Sequence, residues 1–507
     1  MTTPLATRFA DGEWHRLHPL TPLLKGGIAF VAILGIVIVN ARDIIIESFF
    51  GAGNRDEPLV WLVESGYAGI AALAVIGGLL LFIAGFYFSW RMHTFRITDE
   101  VVEVRSGILF RTHRKGRLDR IQGINIVRPF LARLVGTAKL EVNVAGQDAN
   151  VQLEYLGSTA ADDLRRDILR LASGTQEAEA VSAEPVRDAA GNLIEQRVSE
   201  LLAPELDPTL AAPQSVVKMH LGRLVGSLLL SSTTLVLIAF VIGAIITVSL
   251  TGELFILAAL LPAAIGFGSF YVQRFTRSLR YSIAGTPDGV RVGFGLLTTS
   301  NETLPPGRIH SVQVTQPLLW RPAGWWEIKV NRASTSSTKG AAGQANTTIL
   351  PVGDIHDVMK VLGLVLPDLA EDDMVQLLYR GLVSKGGDDG FTNSPKRAAI
   401  LRWFSWRRNG FAVAPNAVLI RKGAIFRELV VVPHARLQSV AVQDGPLRRA
   451  VGVASVRVHT VAGPITPTLG AIDRADALHF FSEVAEAAIR SSSSDRSHRW
   501  RSGEAPA

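Results

Sequence analysis

Two kinds of hydrophobic pattern alternate along this chain. Four stretches are apolar without a break: residues 23–39 (with Lys25 at the edge), 66–90, 224–250 and 254–272. Roughly 20 such residues at 1.5 Å rise span the hydrocarbon of a bilayer. The four read as membrane spans in two hairpins, the first with an acidic loop, the second joined by Thr251-Gly252-Glu253 and kinked at Pro262. A buried core helix is the other reading of each run. The first run is not read as a cleaved signal peptide, because its polar lead is long and no small-x-small site follows it.

Elsewhere apolar residues alternate with polar ones. Phe95-Arg-Ile97, Val101–Val104, Ile108–Phe110, Lys139–Val144 and Asn150–Tyr155 predict short strands bounded by turns at Asp99-Glu100 and Ser106-Gly107. Ser158 then predicts an N-cap, with a helix to about Leu171. Roughly seven antiparallel strands closed by one helix make the pattern of a small barrel.

That unit occurs three times. Arg120, Arg308 and Arg436 each open an Arg-(Ile/Leu)-(Gln/His) core, followed at thirteen positions by Arg133, Arg321 and Arg449 and at sixteen by Gly136, Gly324 and Gly452. Pro129, Pro317 and Pro446 fall between, and Gly107, Gly295 and Gly423 stand thirteen positions before the first Arg. Phe95, Tyr281 and Phe411 open the units. Three copies with one internal spacing indicate duplication. The resulting layout is a polar lead (1–22), a helical pair (23–90), repeat one (95–171), an acidic linker (172–217), a second pair (218–273), repeat two (281–364), a linker (365–410), repeat three (411–490) and a polar tail (491–507) read as disordered. Within repeat two, 333–344 reads as a mobile loop.

Composition narrows the chemistry. The 507 residues contain no cysteine, which excludes disulfides, thiolate metal sites and a Cys nucleophile. A mean hydropathy of +0.26 is high for a wholly soluble protein. The net charge of +7 calls for an anionic partner. Since the chain enters the bilayer, that partner is read as the anionic membrane face rather than nucleic acid. Arg8, Arg16, Lys25, Arg91, Arg96, Lys218, Arg223, Arg274, Arg277 and Arg280 flank the four runs on one side. By the positive-inside bias this puts both termini and all three repeats in the cytoplasm, at the plasma membrane. Trp14, His15 and Arg16 suit an interfacial anchor.

Repeat three lacks a helical pair but keeps a basic-aromatic lead-in, Arg402-Trp403-Phe404-Ser-Trp406-Arg407-Arg408. It reads either as a segment lying on headgroups or as an ordinary core strand.

The three barrel-and-helix units, the Arg core and the preceding helical pairs resemble the bacterial pleckstrin-homology (PH) family, and within it the YdbT-like membrane proteins. The resemblance implies a bent seven-stranded barrel capped by a helix in each repeat. It implies no established chemistry, cofactor or catalytic residue, because fold alone does not give function. His310 in place of Gln, and Trp325-Trp326 after the glycine, set repeat two apart.

For the core motif the expected role is architectural. Pro129, Pro317 and Pro446 end a strand, Gln122 and Gln438 satisfy backbone at a bend, and Arg120, Arg308 and Arg436 brace the barrel alike in all copies; anion binding is the other reading. The functional candidates are the bases Arg105, Arg111, Arg114, Lys115 and Arg117 (with His113 among them), and Arg421, Lys422 and Arg427 in repeat three, as contacts to anionic lipid headgroups. The turns Thr98-Asp-Glu100, Thr286-Pro-Asp-Gly289 and Pro415-Asn416 are not basic, which argues against specific phosphoinositide binding. No nucleophile elbow, His-Glu-x-x-His or phosphate-binding loop is present. Two functions follow: a non-catalytic membrane scaffold binding lipid, a second PH-like membrane protein or itself, and a component of an export or envelope-protection (antimicrobial resistance) system. The second would use polar positions in the spans, here Ser231, Ser232, Thr233, Thr234 and Thr247.

Overall fold

The computed structural model describes residues 11–21, 68–107, 111–146, 150–172, 217–252, 260–286, 289–305, 307–333, 347–369 and 371–494, with positions 9, 24, 255 and 258. The first expected span, the acidic linker, the 333–344 loop and the tail past Ser494 lie almost wholly outside these residues. The chain forms two compact units. The smaller comprises Met1–Leu118, Arg128–Glu141 and Val151–Asp167, and the larger Asp119–Val127, Val142–Asn150 and Ile168–Ala507.

Each repeat contributes seven strands. In repeat one these are β1 (His15–Arg16), β2 (Thr94–Ile97), β3 (Val101–Ser106), β4 (Thr112–Arg117), β5 (Ile121–Arg128), β6 (Thr137–Val144) and β7 (Val151–Gly157). Repeat two has β8 (Val217–Lys218), β9 (Ser282–Thr286), β10 (Gly289–Phe294), β11 (Thr299–Leu304), β12 (Ile309–Gln316), β13 (Trp326–Arg332) and β14 (Thr348–Gly353). Repeat three has β15 (Thr392–Asn393), β16 (Gly410–Val413), β17 (Ala417–Lys422), β18 (Arg427–Pro433), β19 (Ser439–Gln443), β20 (Val453–His459) and β21 (Thr468–Asp473).

Among the described residues the helices, in order, are α1 (Ala68–Arg91), α2 (Phe130–Leu134), α3 (Ser158–Ala172), α4 (Leu221–Leu229), α5 (Ser232–Thr251), α6 (Leu260–Ser278), α7 (Ile355–Val365), α8 (Asp372–Val383), α9 (Ala399–Arg402), α10 (Pro446–Val451) and α11 (Arg474–Ser494). α3, α7 and α11 close the three repeats. The first strand of each repeat is only two residues long and is parted from the second by a helical insertion. That insertion includes α1 in repeat one, α4 to α6 in repeat two and the short α9 in repeat three. The N-terminal lead supplies a sheet strand: His15 and Arg16 pair with Phe95 and Thr94, and Trp14 lies 4.0 Å beneath the Arg105 guanidinium.

The recurring proline and glycine have one local cause. β5 and β12 stop just before Pro129 and Pro317, and β19 stops three residues before Pro446. A helical turn follows each: α2, a 3-10 turn at Leu318–Trp320, and α10. Gly136, Gly324 and Gly452 end those turns at φ of +66°, +67° and +70°. This left-handed backbone is where glycine costs least. Gly107, Gly295 and Gly423 are also left-handed, and a Cβ on Gly295 or Gly423 would collide with the carbonyl three residues on.

The sheet order shows how the seven strands of each expected bent barrel are arranged. In the smaller unit β1-β2-β3-β4 form one antiparallel sheet. In the larger unit β5 lies beside β11 in the row β5-β11-β10-β9-β8, and a second row runs β14-β13-β12-β18-β17-β16-β15, with β19-β20-β21 separate. Repeats two and three are thus each a four-stranded and a three-stranded half. The edge of β18 that would meet β19 is taken instead by β12 of the preceding repeat, in the register Val312↔Val431, Val314↔Leu429 and Gln316↔Arg427. Burial follows the pairing. Leu419, Leu429 and Val431 belong to the core of repeat two, while Val418, Ile420, Val430 and Val432 belong to that of repeat three.

The stretch 365–410, expected as a linker, holds α8, whose Met374, Leu378 and Leu382 are buried in the core of repeat two. The expected tail begins late, since α11 continues through Ser494.

Among the described residues one helix, α5, is long and apolar enough to cross a membrane by length and composition. The second apolar run is helical as α1, with no charge before Arg91. The fourth becomes α6, which carries Arg274 and Arg277 in its last turns. Four spans are therefore not established here.

Candidate functional site

The bases predicted to meet lipid divide sharply. In repeat one they line the β3–β4 hairpin, where Val101↔Arg117 and Ser106↔Thr112 set the register. Glu103, almost fully buried, gathers Lys115 at 2.6 Å, Arg96 at 3.0 Å and His113 at 3.3 Å. Burial works to raise the Glu103 carboxyl. The hydrogen bonds from Lys115, Arg96 and His113 outweigh it and hold the group below its ordinary value. Arg105, Arg111, Arg114, Lys115 and Arg117 all keep exposed positions.

In repeat three the same positions are structural. Arg421, the counterpart of Arg105, has no exposed surface. It pairs with Asp389, donates to Asn393 Oδ1 at 2.6 Å and to the Arg408 carbonyl at 2.8 Å, and lies over the Phe391 ring. A guanidinium enclosed in this way cannot face a bilayer, so Arg421 leaves the set of lipid contacts. Lys422 pairs with Glu428 at 3.1 Å, and Arg427 donates to Gln316 at 3.4 Å across the β12–β18 junction. Arg408 is buried beside them and donates to the carbonyls of Ser384, Lys422, Gly381 and Leu382 at 3.2, 2.8, 3.0 and 2.9 Å. Burial, then the charges of Arg421, Arg427 and Arg321, push its pKa down.

The core arginines do not share one bracing role. Arg120 is exposed, whereas Arg308 and Arg436 are half-buried. Arg308 donates to the Asp119 carbonyl at 3.0 Å, a bond to the turn before β5. His310 is pushed down to about 4 by burial, then by the Arg436 charge, against a hydrogen bond to the Arg436 backbone. Gln122 is buried and Gln438 exposed. Of the second arginines, Arg321 clamps the Ala424 and Ile425 carbonyls in the β17–β18 turn. Arg449 is 65% exposed and reaches Asp444 at 3.3 Å. Several of these contacts link neighbouring repeats, which a comparison made repeat by repeat does not reveal.

Sequence reasoning also missed how α4 is fastened. Arg223 donates to Asp354 at 2.9 Å and Asp357 at 2.6 Å, the pair that forms the capping box of α7. Trp326 is buried in repeat two, and the Trp325 ring leaves no room for a Cβ on Gly226. A cleft of about 320 Å³ beside α6 is lined by Arg274, Arg277, Gln273, Tyr281 and Lys329. The hydroxyls marked for a transport path are used locally: Ser231 caps α5, Thr234 meets Tyr271 Oη at 2.6 Å, and Thr247 bonds the Gly243 carbonyl.

The lead-in of repeat three is helix and turn rather than strand, with Arg408 buried and Trp406 packed on a small core of Ala398, Val453 and Ala471. Ile400, Trp403 and Phe404 at the tip of α9 are 77, 70 and 60% exposed, flanked by exposed Arg402 and Arg407. Leu447 on α10, 75% exposed, borders the same cleft as Leu401 and Arg402. After the recurring proline, Phe130 and Leu131 in repeat one and Leu318 in repeat two are exposed as well.

Among the described residues no group of His, Asp and Glu could hold a metal ion. The family comparison agrees with the repeats: the bacterial PH domain model matches residues 33–172, 227–367 and 381–488. The chain belongs to the bacterial PH domain family, with three tandem copies. No curated protein matches it. PH-like domains of this kind are generally interaction modules without catalysis.

Proposed function

We propose that this chain is a non-catalytic scaffold held at the cytoplasmic face of the plasma membrane by helical hairpins, with four spans and both ends inside. Its repeats contact anionic lipid and partner proteins. The observation that carries the reading is the exposed Ile400, Trp403 and Phe404 with Arg402 and Arg407. They occupy the place, between first and second strands, where the other repeats insert long apolar helices. Aromatic and aliphatic side chains ringed by bases suit the headgroup boundary. Each base near an anionic surface adds about 1 kcal/mol. Arg105, Arg111, Arg114 and Arg117 on the β3–β4 hairpin, and Arg274 and Arg277 in the last turns of α6, are further bases for anionic lipid.

The absence of cysteine makes the test direct. A fluorophore on Ile400→Cys, in the full chain reconstituted with nitroxide-labelled anionic lipid, should be strongly quenched. The same label on Tyr379→Cys, exposed on α8, should not. Equal quenching at the two positions would contradict the proposal.

A further inference from the structure

The junctions within the larger unit are one interface used twice. In each, the strand that follows the recurring arginine (β5 or β12) lies beside the last strand of the next repeat's four-stranded half (β11 or β18). The β12–β18 register is given by Val312↔Val431. At the other junction a Cβ on Gly123 of β5 would sit 3.1 Å from the Thr303 carbonyl of β11, and Asn125 meets Ser300 at 2.7 Å. The same two kinds of strand stand at the outside of the repeat series. β4, the last strand of repeat one's four-stranded half, is the outer strand of its sheet, with five of its six residues exposed. β19, the strand after Arg436, is the outer strand of β19-β20-β21, with both ends exposed.

We propose that β19 of one copy of this chain pairs antiparallel with β4 of a second copy, repeating the internal junction between molecules. Superposing the repeats (Arg308 on Arg436, Gly423 on Gly107) carries the β12–β18 register across. It sets Val440 opposite Lys115, Val442 opposite His113, Gln443 opposite Thr112 and Asp444 opposite Arg111.

Three observations support the second copy as occupant. Val440 and Val442 are only half-buried, whereas their counterparts Val312 and Val314 at the internal junction are fully buried. A covering strand would complete that burial. Arg427 reaches Gln316 at the internal junction; the matching pair between copies is Arg111 with Asp444, so a neutral contact becomes a charged one. Asp444 is now held by Arg449 at 3.3 Å and Arg474 at 3.6 Å, both exposed. Arg449 also stands where Arg321 stands when it clamps the next repeat's turn. The bases of β4 discourage indiscriminate edge pairing and favour an edge that ends in an acid. Such a contact is heterologous, so it closes into a ring or continues as a chain.

The test uses the full chain in mild detergent. Singly substituted Thr112→Cys and Gln443→Cys chains are mixed and oxidised. Residues directly opposite in an antiparallel pair lie about 4.5–5.5 Å apart at Cα, within disulfide reach. A crosslinked dimer should form from the mixture and be lost when Ser439→Cys, four residues out of register, replaces Gln443→Cys. Mass by light scattering should rise with concentration, fall to that of a monomer with Arg111→Glu, and recover when Asp444→Arg is added. No crosslink above the out-of-register control, disulfides from one variant alone, or a mass that never rises would overturn the proposal. So would Arg111→Glu weakening vesicle binding while leaving the mass unchanged, which would give the hairpin to lipid.

Discussion

β4 and β18 hold the same place in repeats one and three, and their surroundings differ in almost every respect. β18 reads Arg-Glu-Leu-Val-Val-Val-Pro and lies between β17 and β12, with one face in each of two cores. β4 reads Thr-His-Arg-Lys-Gly-Arg and is an outer strand. A strand buried on both faces needs a continuous apolar run, and an edge strand tolerates charge. β11 is a third solution: all six residues are buried although five are polar. Two of its polar side chains have partners, Ser300 in Asn125 and Glu302 in Arg332, as buried polar groups generally do. Composition at this position therefore reports a strand's neighbours in the tandem array rather than its place in the repeat.

The largest expected effect comes from carrying the comparison to Arg421 and Arg105, which occupy one position in two repeats. Arg421→Ala removes a fully buried guanidinium from its pair with half-buried Asp389, which keeps only Ser384 and the Phe391 N–H, and should cost about 3–5 kcal/mol. Arg105→Ala removes an exposed stack on Trp14 and should cost about 0.5–1 kcal/mol. Equilibrium unfolding of the full chain in detergent compares the two, and similar losses would break the contrast.

A smaller effect separates repeat two from the others. His310 has a folded pKa of about 4 against an ordinary 6.5, so it stays neutral in the folded chain while the unfolded chain takes up a proton. Its contribution is fully present above pH 6.5 and is lost progressively as pH falls toward 4. Gln122 and Gln438 cannot titrate. His310→Gln should therefore flatten the unfolding profile over that window, and an unchanged profile would remove His310 from the acid response.

Much of this was legible in the sequence. Three copies, the strand-ending prolines and the glycines at fixed spacing all appear as recurring residues with a local backbone cause. The two-residue first strands were not legible, because β1, β8 and β15 are parted from their sheets by helical insertions. The burial of Arg421 was hidden for a similar reason. Its partner Asp389 lies in a Gly-Asp-rich segment that reads as a linker, and nothing in Arg421-Lys422 distinguishes a core guanidinium from a surface one. The Arg core motif was legible as a repeat. Its contacts run between repeats, as when Arg308 reaches Asp119 and Arg321 reaches Ala424, and so cannot be read within one copy.

Neighbouring repeats share sheets and leave β4 and β19 as edges. Amide hydrogen exchange on the full chain, followed by peptide across β4, β12, β18 and β19, tests this most directly. Amides bonded on both sides of a covered strand open only with larger unfolding events, while edge amides open locally. The account predicts strong protection throughout β12 and β18. In β4 and β19 it predicts partial protection that rises with protein concentration as copies associate. Exchange in β18 as fast as in β4 would contradict the shared sheet and the account with it.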